Sequence, residues 1–133
     1  MAPVPKGTRI VGFAFVDSRV TSLGARARLP AGAKIYPSGS TVTGTSGCPT
    51  DQYGQTGLLA AVFDYAGPPI AGQLTVTLGG YAYAPIPMDV DQGRRVQFLG
   101  QPLARNGTYA ITLELLGAKP KTLTARLTLA RSC

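Results

Sequence analysis

The C-terminal part of the chain alternates between apolar and polar residues. Residues 106–115 and 122–129 both follow this alternation, and Gly117–Pro120 separates them. Successive side chains of a β-strand point to opposite faces of a sheet, so the pattern predicts two strands that each bury one face. Glycine and proline between the two stretches predict the turn that joins them.

Further strands are predicted upstream, because short apolar or alternating stretches are separated by glycine and proline. Residues 9–16 are apolar on both faces, which indicates a strand covered on both sides. In residues 94–99 the alternation predicts that the side chains of Val96 and Phe98 point into the core, and that those of Arg95 and Gln97 point outward. The predicted upstream strands are 9–16, 20–29, 34–36, 41–45, 58–65, 73–78, 81–84 and 94–99.

Composition supports an all-β protein. Only 14% of the residues are charged, against about 25% in a typical soluble protein, and the chain contains 17 glycines and 11 prolines. Glycine or proline interrupts almost every window in which a helix would form. The 133 residues therefore predict a single antiparallel β-sandwich domain, residues 1–133, of about seven to nine short strands. No apolar run approaches the roughly 20 residues that span a bilayer, so no transmembrane segment is expected.

Two stretches resemble bacterial immunoglobulin-like domains. Residues 63–76 are similar to the strand, Asp-x-x-Gly-x-Pro turn and following strand of those domains. Residues 106–111 resemble their Gly-x-Tyr penultimate strand, in which Tyr109 would make a corner. The chain departs from the family pattern because it has no tryptophan and its cysteines are not at the usual paired-strand positions. The resemblance implies an immunoglobulin-like sandwich that serves as a spacer, adhesive module or binding partner at a cell surface.

The chain contains two cysteines, Cys48 in a Gly-rich loop and Cys133 after the last predicted strand. A zinc site would need further thiol or imidazole ligands, and the chain has no histidine, so a disulfide is favoured and no cofactor is expected. A disulfide implies an oxidising compartment, secreted, periplasmic or at the cell surface. The alternative is a cytosolic protein with two free thiols.

Residues 1–7 lack the apolar core of a signal peptide. Their small and proline-rich composition resembles what remains after a leader is cleaved. We therefore expect a flexible N-terminal tail, and a native precursor with a signal peptide. A naturally cytosolic protein would begin in the same way.

Charge is distributed unevenly along the chain, which has a net charge of +7. Residues 1–34 carry a net charge of +5, residues 35–93 carry −4, and residues 94–133 carry +6. If the terminal strands were neighbours in one sheet, the molecule would have a basic side. That arrangement would favour an anionic partner such as nucleic acid, acidic polysaccharide or lipid headgroups.

No motif predicts catalysis. The absence of histidine excludes Ser-His-Asp and Cys-His centres, and no phosphate-binding loop follows a strand. The remaining candidate is the pair Asp89 and Asp91, whose carboxylates would lie roughly 6 to 7 Å apart on an extended segment. Such a pair suits a weak Ca²⁺ site or a glycosidase, although both usually need more carboxylates. A solvated turn is the alternative.

Exposed aromatic and basic side chains are the remaining candidates for binding. Tyrosine rings stack on sugars or anchor protein partners, and arginines contact phosphate or sulfate. Both residue types also have ordinary structural roles, as core-filling tyrosines and solubilising arginines. The candidate binding residues are Tyr53, Tyr81, Tyr83, Arg26, Arg28, Arg94 and Arg95.

The sequence therefore predicts a non-catalytic extracytoplasmic module that binds a protein or a surface polymer. An exposed edge strand would allow β-augmentation, in which a partner adds a strand to the sheet. The alternative function is an anion-binding module for nucleic acid or acidic polysaccharide that uses the basic terminal strands. A hydrolase that uses Asp89 and Asp91 is the third and most distant hypothesis.

Overall fold

The computed structural model describes residues 2–16, 29, 32–48, 57–99, 105–119 and 122–133. Within these ranges the chain forms strands and turns and no helix. The strands are β1 (Ala2–Pro3), β2 (Arg9–Val16), β3 (Ser40–Gly44), β4 (Leu58–Tyr65), β5 (Ile70–Leu78), β6 (Tyr81–Ala82), β7 (Ile86–Val90), β8 (Gly93–Phe98), β9 (Gly107–Leu115), β10 (Ala118–Lys119) and β11 (Thr122–Arg131).

Nine of these strands form two sheets. The large sheet has the order β3-β11-β9-β5, and β6 and β7 both pair with the free side of β5. The small sheet has the order β2-β4-β8. Pairing is antiparallel in both sheets except between β3 and β11, which run parallel, and β1 forms a separate parallel pair with β10. The predicted all-β sandwich is confirmed.

The main core lies between the two sheets. Alternate residues of β9 are buried, as the sequence pattern predicts, and β5 and β11 contribute their apolar faces in the same way. Each fully buried leucine or isoleucine stabilises the fold by about 1.5 to 3 kcal/mol. The largest fully buried apolar side chains are Tyr109, Phe13, Phe63, Leu59, Leu74, Leu99, Ile111, Leu113, Leu115, Leu127 and Leu129.

The small sheet is covered on both faces. A second apolar cluster lies on its outer face, where Leu29 and Ile35 pack against buried residues of β2, β4 and β8. This cover explains why β2 and β4 are apolar on both faces, as predicted for residues 9–16. The buried members of this outer cluster are Ala14, Val16, Leu58, Ala60, Val62 and Val96.

The predicted orientation of β8 is wrong. Val96 faces the outer cluster, whereas Arg95 and Gln97 face the main core and are only 7% and 0% exposed. The register confirms this, because Gln97 lies opposite Ala61, which belongs to the main core. The Arg95 guanidinium donates to the Gln97 side-chain oxygen at 2.6 and 2.9 Å, which compensates for burying both groups.

Tyr109 has the geometry of a corner residue. Its side chain is fully buried at the start of β9, and its hydroxyl accepts a hydrogen bond of 2.9 Å from the Arg105 backbone N–H, four residues upstream. This bond fixes the direction in which the chain enters β9. Burial raises the pKa of Tyr109 above its usual value.

The two basic segments meet in one strand pair, β1 with β10. Their longer strands are in different sheets, because β2 belongs to the small sheet and β11 to the large one. The expectation that the terminal strands are sheet neighbours therefore holds for β1 and β10 and does not hold for β2 and β11.

The remaining strand predictions hold in part. Residues 34–36 form only an isolated bridge, between Tyr36 and Phe13, and residues 86–90 form a strand that the sequence did not predict. That strand is at the edge of the sheet, in agreement with the prolines that exclude a central position. The predicted strand at residues 20–29 lies outside the described residues, apart from Leu29.

Candidate functional site

A disulfide joins Cys48 to Cys133, in agreement with the favoured interpretation of the cysteines. It connects the loop after β3 to the end of β11, with the two Cα atoms 5.8 Å apart. Because β3 and β11 are parallel neighbours, both strands finish at the same end of the sandwich. We call this end of the molecule the disulfide end.

Arg131 holds the same loop without a covalent bond. Its guanidinium donates to the Gly47 carbonyl at 2.8 Å and lies 5.5 Å from the centre of the Phe15 ring. The residue is 6% exposed, and burial lowers the pKa of its guanidinium below the ordinary value. A buried arginine supported by a carbonyl and a ring has a structural role here, so it is not an exposed anion contact.

Asn106 completes the disulfide end. Its side-chain oxygen accepts the Arg131 backbone N–H at 3.0 Å, and its amide donates to the Arg131 carbonyl at 2.8 Å. The asparagine side chain therefore pairs with the backbone of β11 just before β9 begins. In the sequence, Asn106-Gly107-Thr108 has the form of a glycosylation site or a tight turn, and the structure gives Asn106 a role in strand pairing.

Tyr81 lies in the short strand β6, and Tyr83 follows directly after that strand. Tyr81 is 66% exposed, and its ring makes an edge-to-face contact with Tyr83 at 5.0 Å between ring centres. Tyr83 is partly buried and packs against the main core, while its backbone N–H donates to Val76. The result is an exposed ring held by a fixed neighbour. Tyr53, the third tyrosine candidate, lies outside the described residues.

Arg94 is engaged in an ion pair. Its guanidinium makes two hydrogen bonds to Asp64, of 2.8 and 3.1 Å, and Arg9 approaches the same carboxylate at 3.8 Å. The hydrogen bond from Arg94 lowers the pKa of Asp64, although burial opposes this shift. The Asp64 carboxylate therefore offsets the positive charge that Arg94 would offer to an external anion.

Arg95 is inside the sandwich, so the structure does not combine it with Arg94 into a basic surface. Its guanidinium also donates to the Asp89 backbone carbonyl at 2.9 Å, which links β8 of the small sheet to β7 of the large sheet. The other arginine candidates, Arg26 and Arg28, lie outside the described residues.

Asp89 lies on β7, and Asp91 follows the end of that strand. Among the described residues, no three His, Cys, Asp or Glu side chains group in a way that would hold a metal ion. Asp89 is exposed, as a solvated carboxylate would be, but it lies in a paired strand opposite Ala71 and not in a turn.

The β7 edge is closed to β-augmentation, and the β2 edge is occupied at Phe13. On β2, Phe13 exchanges backbone hydrogen bonds of 2.8 and 2.7 Å with Tyr36. On β7, the outer carbonyl of Asp89 is already bonded to Arg95, and Pro87, two residues away on the same side, has no N–H. A partner strand would therefore find few free backbone groups along β7, and those of Phe13 on β2 are already bonded.

The outer face of the large sheet is rich in threonine, a feature that the sequence analysis did not identify. Register places Thr124 beside Thr112 and Thr112 beside Thr75, so hydroxyls form a row across three strands. The signal was the alternation of threonine with buried residues in β3, β5, β9 and β11. The outward threonines are Thr41, Thr43, Thr75, Thr77, Thr108, Thr112, Thr122, Thr124 and Thr128.

A scan against models of known protein families gives no match to this chain, and a search of curated proteins finds no significant match either. In the described part of the chain, no helix is long and apolar enough to cross a membrane. Functional conclusions therefore depend on the side chains and their geometry.

Proposed function

We propose that the chain is a non-catalytic, immunoglobulin-like binding module of an extracytoplasmic compartment, and that it contacts a protein partner through the exposed ring of Tyr81. The observation that carries this proposal is the pairing of Tyr81 with the half-buried Tyr83. Rigid, amphipathic tyrosine rings provide contact area at low entropic cost and are enriched at binding hot spots.

Strand order supports the immunoglobulin-like assignment. In that fold, the second strand neighbours the fifth in one sheet, while in the other sheet the sixth strand lies between the third and the seventh. Here β4 neighbours β8, whereas β5, β9 and β11 are adjacent in the large sheet. Tyr109 and its bond to Arg105 match the tyrosine corner of the same fold.

The disulfide supports the extracytoplasmic compartment, because such bonds persist under oxidising conditions. Its position differs from the disulfide that joins the two sheets of antibody domains, since Cys48 and Cys133 lie at the ends of neighbouring segments of one sheet. The bond therefore secures an edge of the sandwich and leaves the core to apolar packing.

Hydrolysis finds less support. Asp89 and Asp91 lack a third acidic neighbour in the described part of the chain. The anion-binding alternative also finds little support, because Arg94 is paired with Asp64, Arg95 is buried, and β2 and β11 lie in different sheets.

The proposal is tested by photo-crosslinking on intact cells or culture fluid of the native source. A photoreactive phenylalanine at position 81 should give discrete protein adducts, and the same group at Thr124, on the outer face of the large sheet, should not. Excess unlabelled protein should abolish the adducts. A Tyr81→Ser competitor should need about 30-fold more protein, as expected for loss of a 2 kcal/mol hot spot.

Two results would contradict the proposal. One is the absence of adducts at position 81, and the other is competition by Tyr81→Ser equal to that of the unchanged protein. Adducts that resist protease but disappear after polysaccharide digestion would show that the partner is a surface polymer and not a protein.

A further inference from the structure

A groove of about 350 Å³ lies beside the edge of the large sheet, at the opposite end of β5 from Tyr81. Ala71 and Gly72 of β5 line it on one side, and Pro87 and Asp89 of β7 line it on the other. Tyr81 pairs with Leu78, seven residues from Ala71, which corresponds to about 23 Å along a strand. The groove is therefore a separate surface.

One end of the groove is apolar. Leu116, in the turn after β9, is 45% exposed and is one of only two large apolar side chains that are exposed in the described ranges, the other being Tyr81. Its position is fixed because its backbone N–H donates to the Ala71 carbonyl at 2.9 Å. Such a fixed and exposed leucine offers a contact for an apolar side chain.

The charge in the lining of the groove is negative, in a chain whose net charge is +7. Asp89 is the only charged residue in its lining, and residues 35–93, which supply six of the seven lining residues, contain no lysine or arginine. Glu114 lies on the same outer face, opposite Gln73 of the groove. The Asp89 backbone carbonyl is held by Arg95, which fixes the strand that presents its carboxylate.

We infer that this groove binds an extended peptide segment of a partner protein, with a lysine or arginine against Asp89 and a neighbouring apolar side chain against Leu116. Charge complementarity selects the cation, and the apolar end selects its neighbour. The backbone of β7 does not supply the binding, because Pro87 and the Arg95 bond close that edge to strand addition. Side-chain contacts in the groove therefore carry the recognition.

The test uses acetylated and amidated peptides of sequence Ala-Leu-Arg-Leu-Ala, titrated into the ¹⁵N-labelled full chain. We expect saturable amide shifts at Ala71, Asp89 and Leu116, with a dissociation constant in the roughly 0.1 to 1 mM range. The same peptide with glutamate in place of arginine should bind at least about five-fold more weakly, because it places a negative charge beside Asp89.

Variants locate the contact. Asp89→Asn should weaken binding about two- to five-fold, as expected for an exposed ion pair, and Leu116→Ser should weaken it by a similar factor. Asp64→Asn is the matched control, since it removes one carboxylate elsewhere and should leave the affinity unchanged. Asp89 and Leu116 are exposed and Asp64 is partly exposed, and the amide spectrum of each variant shows directly whether it folds.

The inference is overturned if the arginine peptide causes no saturable shifts, if the glutamate peptide binds equally well, or if Asp64→Asn has the same effect as Asp89→Asn. Because the crosslinking test places its probe at Tyr81, failure at the groove and failure of the proposed function give different results.

Discussion

Two buried arginines stabilise this fold by donating hydrogen bonds to neutral oxygens, those of backbone carbonyls and of a glutamine side chain. Arg131 donates to the Gly47 carbonyl, and Arg95 donates to Gln97 and to the Asp89 carbonyl. Arg131 joins segments 84 residues apart in sequence, and Arg95 joins β8 of the small sheet to β7 of the large sheet. Removing one would leave buried acceptors without donors, which usually costs more than the net value of the hydrogen bond.

Arg131→Met should therefore lower the free energy of unfolding by about 1.5 to 3 kcal/mol, since hydrogen bonds from charged groups contribute in this range. The methionine retains apolar contact with Phe15 but loses the donor to Gly47. Chemical denaturation measures the change. Arg126→Met is the matched control, because Arg126 is exposed on the same strand and its replacement should change stability by less than about 0.5 kcal/mol. Equal effects of the two variants would contradict this role of Arg131.

Tyr109 makes stability sensitive to alkaline pH. Burial raises the pKa of this phenol in the folded state, so its stabilising contribution is complete below the unfolded value of about 10. The contribution is lost as pH rises from that value through the folded pKa, because only the unfolded chain ionises there. Denaturation between pH 8 and 11 should show a steeper loss of stability for the native chain than for Tyr109→Phe. Identical slopes would contradict the prediction.

At pH 7 the same Tyr109→Phe variant should be less stable by about 1 kcal/mol, because the Arg105 N–H loses its acceptor. The two effects are separable, since the lost hydrogen bond lowers stability at every pH and the ionisation effect appears only at high pH.

At the scale of elements, the bounds of the strands were easier to predict from the sequence than which face of each strand points into the main core. The bounds of β2 and β4 match the sequence prediction because glycine and turn residues flank continuous apolar runs. The faces of β8 were inverted because its sheet is covered on both sides, so apolar residues on one face do not identify the main core. Burial of Arg95 and Gln97 is compensated by the hydrogen bond between them and by their bonds to the Asp89 and Phe98 carbonyls, contacts that alternation alone does not encode.

The candidate site shows the same limit. The exposure of Tyr81 agrees with its place beside two glycines. The ion pair that engages Arg94, in contrast, depends on the register of β4 with β8, which brings together Asp64 and Arg94 from positions 30 residues apart. The groove beside Leu116 likewise forms from three separate segments. Contacts between distant segments determine which candidate side chains remain available, so composition and spacing gave the residue types and not their partners.

Gly12 permits the bulge in β2, where the register with β4 shifts between Ile10 and Gly12. Its φ is 151°, and a Cβ there would overlap the Tyr36 carbonyl that bonds to Phe13. Gly12→Ala should lower the free energy of unfolding by about 2 to 4 kcal/mol, from backbone strain together with disruption of the Tyr36 bridge.

Gly80→Ala is the matched control for Gly12→Ala. Gly80 also has a positive φ, 89°, but no atom lies within 4 Å of the added Cβ. Its replacement should cost only the strain, about 1 kcal/mol. Thermal unfolding of both variants measures the difference, and equal melting temperatures would show that the contact with Tyr36 has no effect.

At the scale of the whole molecule, the parallel pairing of β3 with β11 places the first strand of the large sheet beside the last one. The segment from Cys48 to Cys133 therefore contains most of the sandwich, including β4 through β11. Noncovalent contacts of Arg131 and Asn106 close the same end. The disulfide thus constrains the unfolded chain more than it positions the folded one.

Reduction should therefore destabilise the protein without changing its fold. A disulfide spanning 85 residues stabilises a domain by about 4 to 5 kcal/mol in the chain-entropy description, and the Cys48→Ser and Cys133→Ser double variant should lose about that amount. Its amide spectrum should remain dispersed, with the Arg131 and Asn106 signals near their original positions, because their hydrogen bonds do not need the sulfur atoms. Denaturation with and without reductant measures the loss in the unchanged protein, and the double variant, which reductant cannot affect, serves as the control. A loss below about 1 kcal/mol, or two free thiols by mass in unreduced native material, would contradict the stabilising role of the bond and remove the main support for an oxidising compartment.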